Sequence, residues 1–82
     1  MPTVLRVGPY RFYFLSHDLV HEPPHVHIER DEKSAKYWLQ PVVLAQNFGF
    51  RAAELRRIEK LVNSHQEFLL ERWNEEYEGT SG

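Results

Sequence analysis

Apolar and polar residues alternate along the first half of the chain, and this alternation predicts short β-strands. The pattern covers four segments: Thr3–Val7, Tyr10–Ser16, His25–Arg30 and Ser34–Leu39. Gly8-Pro9 is a typical turn sequence, and the two prolines within His17–Pro24 indicate an extended loop. We therefore predict a four-stranded antiparallel β-meander over residues 3–39.

The second half of the chain changes to the three-and-four spacing of an amphipathic helix. This spacing covers Ala52–Glu78, and residues 79–82 are predicted to form a tail. Pro41 is a typical first residue of a helix, which predicts a short helix over residues 41–47 that ends before Gly49. The sequence thus predicts one α+β domain over residues 1–82, with the short helix followed by a long C-terminal helix packed on one sheet face.

The predicted long helix exceeds the sheet in length. It would span about 40 Å, whereas a six-residue strand spans about 20 Å. The helix is therefore expected to overhang the sheet or to break, most simply near Asn63-Ser64-His65. An overhanging half would form a homodimer or bind a small partner protein through four residues: Phe68, Leu69, Trp73 and Tyr77. The alternative is a helix that bends back onto its own sheet.

Strand alternation divides the predicted sheet into two faces. Val26 and Ile28 are expected to point into the core, as are Tyr37 and Leu39. The strand residues that alternate with the core residues are expected on the opposite face, called the outer face below: Arg6, Arg11, Tyr13, His25, His27, Glu29, Lys36 and Trp38. Cations bind phosphate and flat rings stack on bases, so this face predicts contact with RNA or a nucleotide. The binding residues would be Arg6, Arg11, Tyr13, Lys36 and Trp38; the alternative is an ordinary solvated sheet face.

Four of the five histidines lie within residues 17–27. The spacing of His25 and His27 places two imidazoles on one strand face, and with Glu29 they are candidate ligands for a divalent transition metal. Further ligands would come from the preceding loop: His17, His21 and Glu22. The chain contains no cysteine, so no thiolate can take part.

The same histidines suit acid–base chemistry, because the pKa of imidazole, about 6.5, lies near neutral pH. A metal-independent ribonuclease would use His25 and His27 as general base and acid, with outer-face cations stabilising the phosphate. Two alternatives involve no catalysis. In the first, the protein is a metal-binding or protein-adaptor module; in the second, the histidines hydrogen-bond to nearby backbone. His65, alone on the apolar side of the long helix, is expected to be structural.

Charge narrows the class of partner. The 82 residues include 10 basic and 12 acidic side chains, and the net charge of −2 argues against specific binding of duplex DNA. The predicted helices at Pro41–Asn47 and from Ala52 onward nevertheless have the outline of a helix-turn-helix.

No apolar run reaches the roughly 18 residues that cross a membrane. Because the N-terminus also lacks a signal-peptide pattern, a cytoplasmic protein is expected.

Six motifs along the chain belong together: VLRVGPYRFYFLS at Val4–Ser16, EPPHVH at Glu22–His27, AKYWL at Ala35–Leu39, GF at Gly49-Phe50, ELRRI at Glu54–Ile58 and WNEEY at Trp73–Tyr77. In combination they resemble a small bacterial family, the domain of unknown function numbered 4160, over nearly the whole chain. Members of that uncharacterised family are typically encoded beside a second small protein, in an arrangement that resembles a toxin–antitoxin pair. The resemblance therefore implies a small partner protein and a role in such a pair.

The chain departs from the family pattern at two positions. His21 stands where a small residue often precedes Glu-Pro-Pro, so no role is carried over to His21. Arg51 stands where a serine typically caps the following helix, with Glu54 at the third helical position. The capping box is therefore expected to be absent, at a cost of about 1 kcal/mol.

Overall fold

The computed structural model describes residues 3–15 and 22–81, and the side chains of residues 3–15 and 22–76. Its strands are β1 (Thr3–Val7), β2 (Tyr10–Tyr13), β3 (His25–Arg30), β4 (Lys33–Leu39) and β5 (Val42–Phe48). They are followed by the helices α1 (Ala52–Ser64) and α2 (Gln66–Ser81). All neighbouring strands are antiparallel, in the order β1-β2-β3-β4-β5. The predicted α+β class and antiparallel meander are confirmed, but the sheet has five strands rather than four.

The fifth strand replaces the short helix predicted over residues 41–47. Gln40 and Pro41 form the turn after β4, so that Val42 pairs with Leu39 and the chain continues antiparallel to β4. A segment of only seven residues fits a helix or a strand by pattern alone. The adjacent β-branched valines and the pairing with β4 favour the strand. Because a strand precedes α1, the helix-turn-helix outline is wrong.

The long helix breaks at His65, at the place where the sequence predicts a break. The backbone of His65 has φ −109° and ψ 15°, and its ring nitrogen Nδ1 lies 2.8 Å from the carbonyl oxygen of Leu61. The side-chain amide of Gln66 donates to the carbonyl of Leu39 at 2.6 Å, which joins the start of α2 to the end of β4. These contacts give His65 a structural setting at the junction of the two helices.

One apolar core lies between the sheet and the helices. Its members are Val4, Tyr10, Phe12, Phe14, Val26, Ile28, Ala35, Tyr37, Leu39, Phe50, Ile58, Val62, Leu69 and Trp73. In β1 the buried residue is Val4, whereas Leu5 and Val7 are half-buried, because the register shifts between Thr3 and Leu5. Neither helix of the described chain has the length and apolar character that crossing a membrane requires.

Two tyrosines and an arginine join the sheet to the first turn of α1. The Tyr37 hydroxyl donates to the carbonyl of Leu55 at 3.0 Å, and burial raises the pKa of Tyr37 to about 12, so the donor stays protonated. The Tyr10 hydroxyl donates to Glu54 Oε2 at 2.7 Å, and Arg30 pairs with the same carboxylate oxygen. Glu54 therefore connects two strands to the helix.

The start of α1 lacks a side-chain cap, as expected. Arg51 is the N-cap residue, with φ −83° and ψ 161°, and its side chain makes no capping hydrogen bond. Glu54, which would complete a capping box, bonds to Tyr10 and Arg30 instead. The helix start is thus held by tertiary contacts in place of a local cap.

Protonation of Glu54 is expected to weaken the contact between α1 and the sheet at acid pH. The Tyr10 hydrogen bond, followed by the bond and charge of Arg30, holds the pKa of Glu54 below its ordinary 4.5. Since the folded-state pKa lies below the unfolded value, the stabilisation is complete above about pH 4.5 and is lost as the pH falls through the folded-state pKa. Between about pH 4.5 and the folded-state pKa, the free energy of unfolding of Glu54→Gln should therefore fall less steeply than that of the wild type.

Urea denaturation at a series of pH values measures this difference. Glu32→Gln, which removes an exposed carboxylate in the turn between β3 and β4, is the matched control and should keep the wild-type slope. Equal acid dependence of Glu54→Gln and the wild type would contradict the role assigned to Glu54.

Candidate functional site

The strand register places the predicted outer-face residues in three rows across the sheet. Residues directly opposite each other on antiparallel strands share a face. The first row contains Arg6, Arg11, Glu29, Ser34 and Phe48; the second contains Tyr13, His27, Lys36 and Gln46; the third contains His25, Trp38 and Val43. The structure therefore brings all eight predicted residues to one face, which β5 extends.

A cation and two rings stack across β2 and β3. The guanidinium carbon of Arg11 lies 4.3 Å from the centre of the Tyr13 ring, and the Tyr13 and His27 rings stack with centres 5.3 Å apart at 20°. Arg11 Nε pairs with Glu29 at 3.0 Å, while its buried Nη1 has no hydrogen-bond partner within the described residues. Burial, with a smaller contribution from Glu29, raises the pKa of the Tyr13 hydroxyl above 10.0. The Tyr13 ring is therefore neutral and suited to stacking.

Lys36 and Trp38 form a second pair of cation and ring, on β4. Lys36 Nζ lies 4.6 Å from the centre of the Trp38 ring and also bonds to the carboxylate of Glu22. Lys36 is only 9% exposed, so Glu22 compensates a largely buried charge. Lys36 therefore lies on the outer face, as the strand alternation predicts, but it does not project into solvent. Arg6, by contrast, is exposed on β1 and forms no ion pair within the described residues.

His25 lies on the outer face but is inaccessible to solvent. It is 0% exposed, and the rings of His27, Trp38 and Trp73 lie 5.2, 5.6 and 5.0 Å from its ring centre. Its Nδ1 is 3.0 Å from the carbonyl oxygen of Pro23, which orients the ring. The expectation of two accessible histidines is corrected for His25, because Trp73 closes the end of the sheet there. His27 remains half-buried.

The candidate metal ligands do not converge in the described part of the chain. Within residues 3–15 and 22–76, no three histidine, aspartate or glutamate side chains are placed to hold one ion. Glu29 pairs with a guanidinium of β2 instead. His17 and His21 lie outside the described residues. The structure therefore does not assemble the predicted ligand set of His25, His27 and Glu29.

An apolar pocket adjoins the third row of the outer face. It has a volume of about 280 Å³ and is lined by Pro23, Pro24, Trp38, Gln40, Pro41 and Val43. The backbone amide of Leu39 donates to the carbonyl of Pro24 at 3.0 Å and holds the loop before β3 against β4. Sequence reasoning missed this pocket, although the double proline and Pro41 were signals that could have located it. Sequence reasoning also missed Glu22 as the counter-ion of Lys36.

The fold separates the four residues of the predicted helix interface. Leu69 and Trp73 are 0% and 3% exposed, because α2 packs along the chain's own sheet. Phe68 is 40% exposed on the solvent side of α2. The side chain of Tyr77 lies outside the described residues. The expected exposed stripe is therefore corrected: Leu69 and Trp73 belong to the core, as the alternative of a helix bent back onto the sheet predicts.

Comparison with known proteins identifies a family whose function is unknown. No curated protein and no solved structure matches the chain. The profile of one family, described as "Domain of unknown function (DUF4160)", matches residues 10–74. That range includes β2 through most of α2, with every residue that lines the pocket. Because the match covers more than half of the 82 residues, the chain belongs to the DUF4160 family.

Proposed function

We propose that this protein binds single-stranded RNA or a nucleotide on its outer face. The observation that carries the proposal is the pairing of a cation with flat rings at two places, Arg11 with Tyr13 and His27, and Lys36 with Trp38. Bases stack on aromatic side chains. Arg11 and Lys36 already pair with carboxylates, so phosphate would bind Arg6, the exposed guanidinium of the same face. The arrangement therefore matches both chemical parts of a nucleotide.

The layout of the rings favours an unpaired strand over a duplex. Sheets that stack two or three bases on aromatic side chains are a common platform for single-stranded RNA. Here Tyr13 and Trp38 lie in adjacent rows, and Trp38 opens into the pocket. One base would enter the pocket against Trp38, with the amide of Gln40 beside its edge as donor and acceptor.

We further propose that the protein is one member of a bacterial, cytoplasmic pair of the toxin–antitoxin type. This part of the proposal rests on the gene arrangement that the family resemblance implies. Exposed apolar side chains, Phe48 on β5 and Phe68 on α2, offer contacts to a small partner protein. In such a pair the outer face would bind RNA without cleaving it.

The geometry supports binding better than histidine-dependent cleavage. A general base and a general acid must both reach the phosphodiester. His25 is fully buried and oriented by Pro23, which leaves His27 as the half-buried member of the pair on the outer face. Within residues 3–15 and 22–76, the outer face therefore offers one partly accessible imidazole, whereas this mechanism uses two.

The salt dependence of RNA binding tests the proposal through Arg6. For single strands, the logarithm of affinity falls by about 0.7 per logarithm of salt for each neutralised phosphate. Arg6→Ala is expected to reduce that slope by about 0.7, because this exposed guanidinium contacts phosphate. Fluorescence anisotropy of a labelled 12-nucleotide RNA, titrated at several salt concentrations, measures the slope.

Arg51→Ala is the matched control, since Arg51 is also exposed but precedes α1 on the helix side of the sheet. Its slope should equal that of the wild type. RNA that does not bind at low salt would contradict the proposal. If the RNA is cut, and His27→Ala abolishes the cutting, the ribonuclease hypothesis would replace the binding hypothesis. Binding of a transition metal without binding of RNA would favour the metal-binding module.

A further inference from the structure

The two helices act as one continuous surface on the side away from the sheet. At the break, the amide of His65 donates to the carbonyl of Leu61 at 3.1 Å, and the amide of Leu69 donates to the carbonyl of His65 at 2.9 Å. These bonds flank the break, and the buried residues keep a helical spacing across it: Ile58, Val62, Leu69 and Trp73. Residues three or four apart consequently align on one face from α1 into α2.

This solvent face is divided by charge into two halves. Six exposed charged residues, called the charged stripe below, recur on it: Arg56, Arg57, Lys60, Glu67, Glu71 and Glu75. The first three are basic and the last three acidic, with the uncharged, exposed Asn63 and Ser64 between them. The exposed Glu59 lies beside the basic half, on the side of α1 nearer Tyr37. Glu75 pairs with Arg72 at 3.7 Å; the other five form no ion pair within the described residues.

The charged stripe does not stabilise the chain's own helices. Residues four apart carry like charges, as in Arg56 with Lys60 and Glu67 with Glu71, and such pairs destabilise a helix. The helix dipole favours acidic residues at the N-terminal end and basic residues at the C-terminal end. Within the stripe, Glu67 in the first turn of α2 has the position that the dipole favours, whereas none of the three basic residues lies in the last turn of α1. Helix stability within one chain therefore does not account for this pattern.

We propose that two copies of this protein dock antiparallel through the charged stripe. A two-fold axis near Ser64 places the basic half of each copy against the acidic half of the other, with Arg57 opposite Glu71. An isologous contact of this kind needs a self-complementary surface, and the division of charge supplies one. RNA fits the stripe poorly, because a polyanion would be repelled by its acidic half. Phe68, 40% exposed on the same face, adds an apolar contact near the axis.

The strength of this dimer depends on salt. Each exposed ion pair is weak by itself, and six of them act together across the interface. The Debye length falls from about 10 Å at 0.1 M salt to about 3 Å at 1 M, so the attraction weakens as salt is added. The dimer is expected to form at low salt and to dissociate at high salt. The stripe lies on the helix side of the sheet, so dimerisation is independent of RNA binding by the outer face.

Sedimentation velocity on three forms of the full chain tests the proposal. The first is the wild type, the second has an all-acidic stripe (Arg56→Glu, Arg57→Glu, Lys60→Glu), and the third an all-basic stripe (Glu67→Lys, Glu71→Lys, Glu75→Lys). We expect a wild-type dimer at low salt, monomers for each variant alone, and a heterodimer when the two variants are mixed. Restoration by mixing distinguishes pairing across the interface from damage to either chain.

Three results would overturn the proposal: a wild type that is monomeric at low salt, variants that dimerise as well as the wild type, or a mixture that stays monomeric. Circular dichroism verifies that each variant is folded. If a triple variant fails to fold, the single changes Arg57→Glu and Glu71→Lys test the same pairing. They should each weaken the dimer, and mixing them should recover part of the loss.

Discussion

Replacing Trp73 by alanine is expected to lower the free energy of unfolding by about 3–5 kcal/mol, the largest single effect predicted for this protein. Trp73 is 3% exposed, and its ring lies 5.3 Å from that of Phe14 and 5.0 Å from that of His25. Removal of the indole would open a cavity at the end of the sheet and uncover His25. Urea denaturation followed by far-UV circular dichroism measures the loss.

Phe68→Ala is the control for this prediction. Phe68 lies on the same helix but is 40% exposed, so its removal should cost less than about 1 kcal/mol. Both variants are measured at high salt, where association through the charged stripe is screened. If Trp73→Ala costs no more than Phe68→Ala, α2 does not pack on the sheet, and the expectation of an exposed apolar stripe on the C-terminal helix would be restored.

Replacing Trp38 by alanine is expected to weaken binding of single-stranded RNA by about 5- to 150-fold. Stacking of one base on an aromatic side chain contributes about 1–3 kcal/mol, and Trp38 is the one aromatic side chain among the residues that line the pocket. Trp38→Phe keeps a ring of smaller area and should lose less affinity than Trp38→Ala. Anisotropy titration at one low salt concentration measures the ratio of affinities.

This loss must come from stacking rather than from unfolding. Trp38 is half-buried, so the melting temperature of Trp38→Ala is measured beside its affinity. Phe68→Ala, which removes a ring from the opposite side of the molecule, should bind RNA as the wild type does. A folded Trp38→Ala that keeps full affinity would remove the pocket from the binding site.

The strands that sequence predicts well are those with strict alternation. In β3 and β4, Val26, Ile28, Tyr37 and Leu39 are buried as expected, because a two-residue period leaves only one face for the core. Gly8 lies in the predicted turn, with φ 57°, whereas Gly49, predicted to follow a short helix, has φ 101° after β5 instead. The fifth strand was not predictable in this way, because pairing with β4 rather than local pattern selects its conformation.

The sequence predicts which residues share the outer face, but it does not predict how exposed each of them is. Alternation alone brings Arg11, Tyr13 and His27 to one side, as the register confirms. It does not show that Trp73 covers His25, since 48 residues separate them along the chain and only tertiary packing brings them together. Nor does it show that Glu22 neutralises Lys36, because that contact depends on the path of a loop.

The most direct test of the proposed RNA-binding face is a map of the RNA contacts by NMR. Amide and indole resonances of the ¹⁵N-labelled 82-residue chain are followed while a 12-nucleotide single-stranded RNA is added. We expect the largest shifts at Arg6, Tyr13, His27 and Trp38, including the Trp38 indole N–H, with α1 and α2 unchanged. Shifts confined to the basic half of the charged stripe, or no shifts at all, would contradict the account.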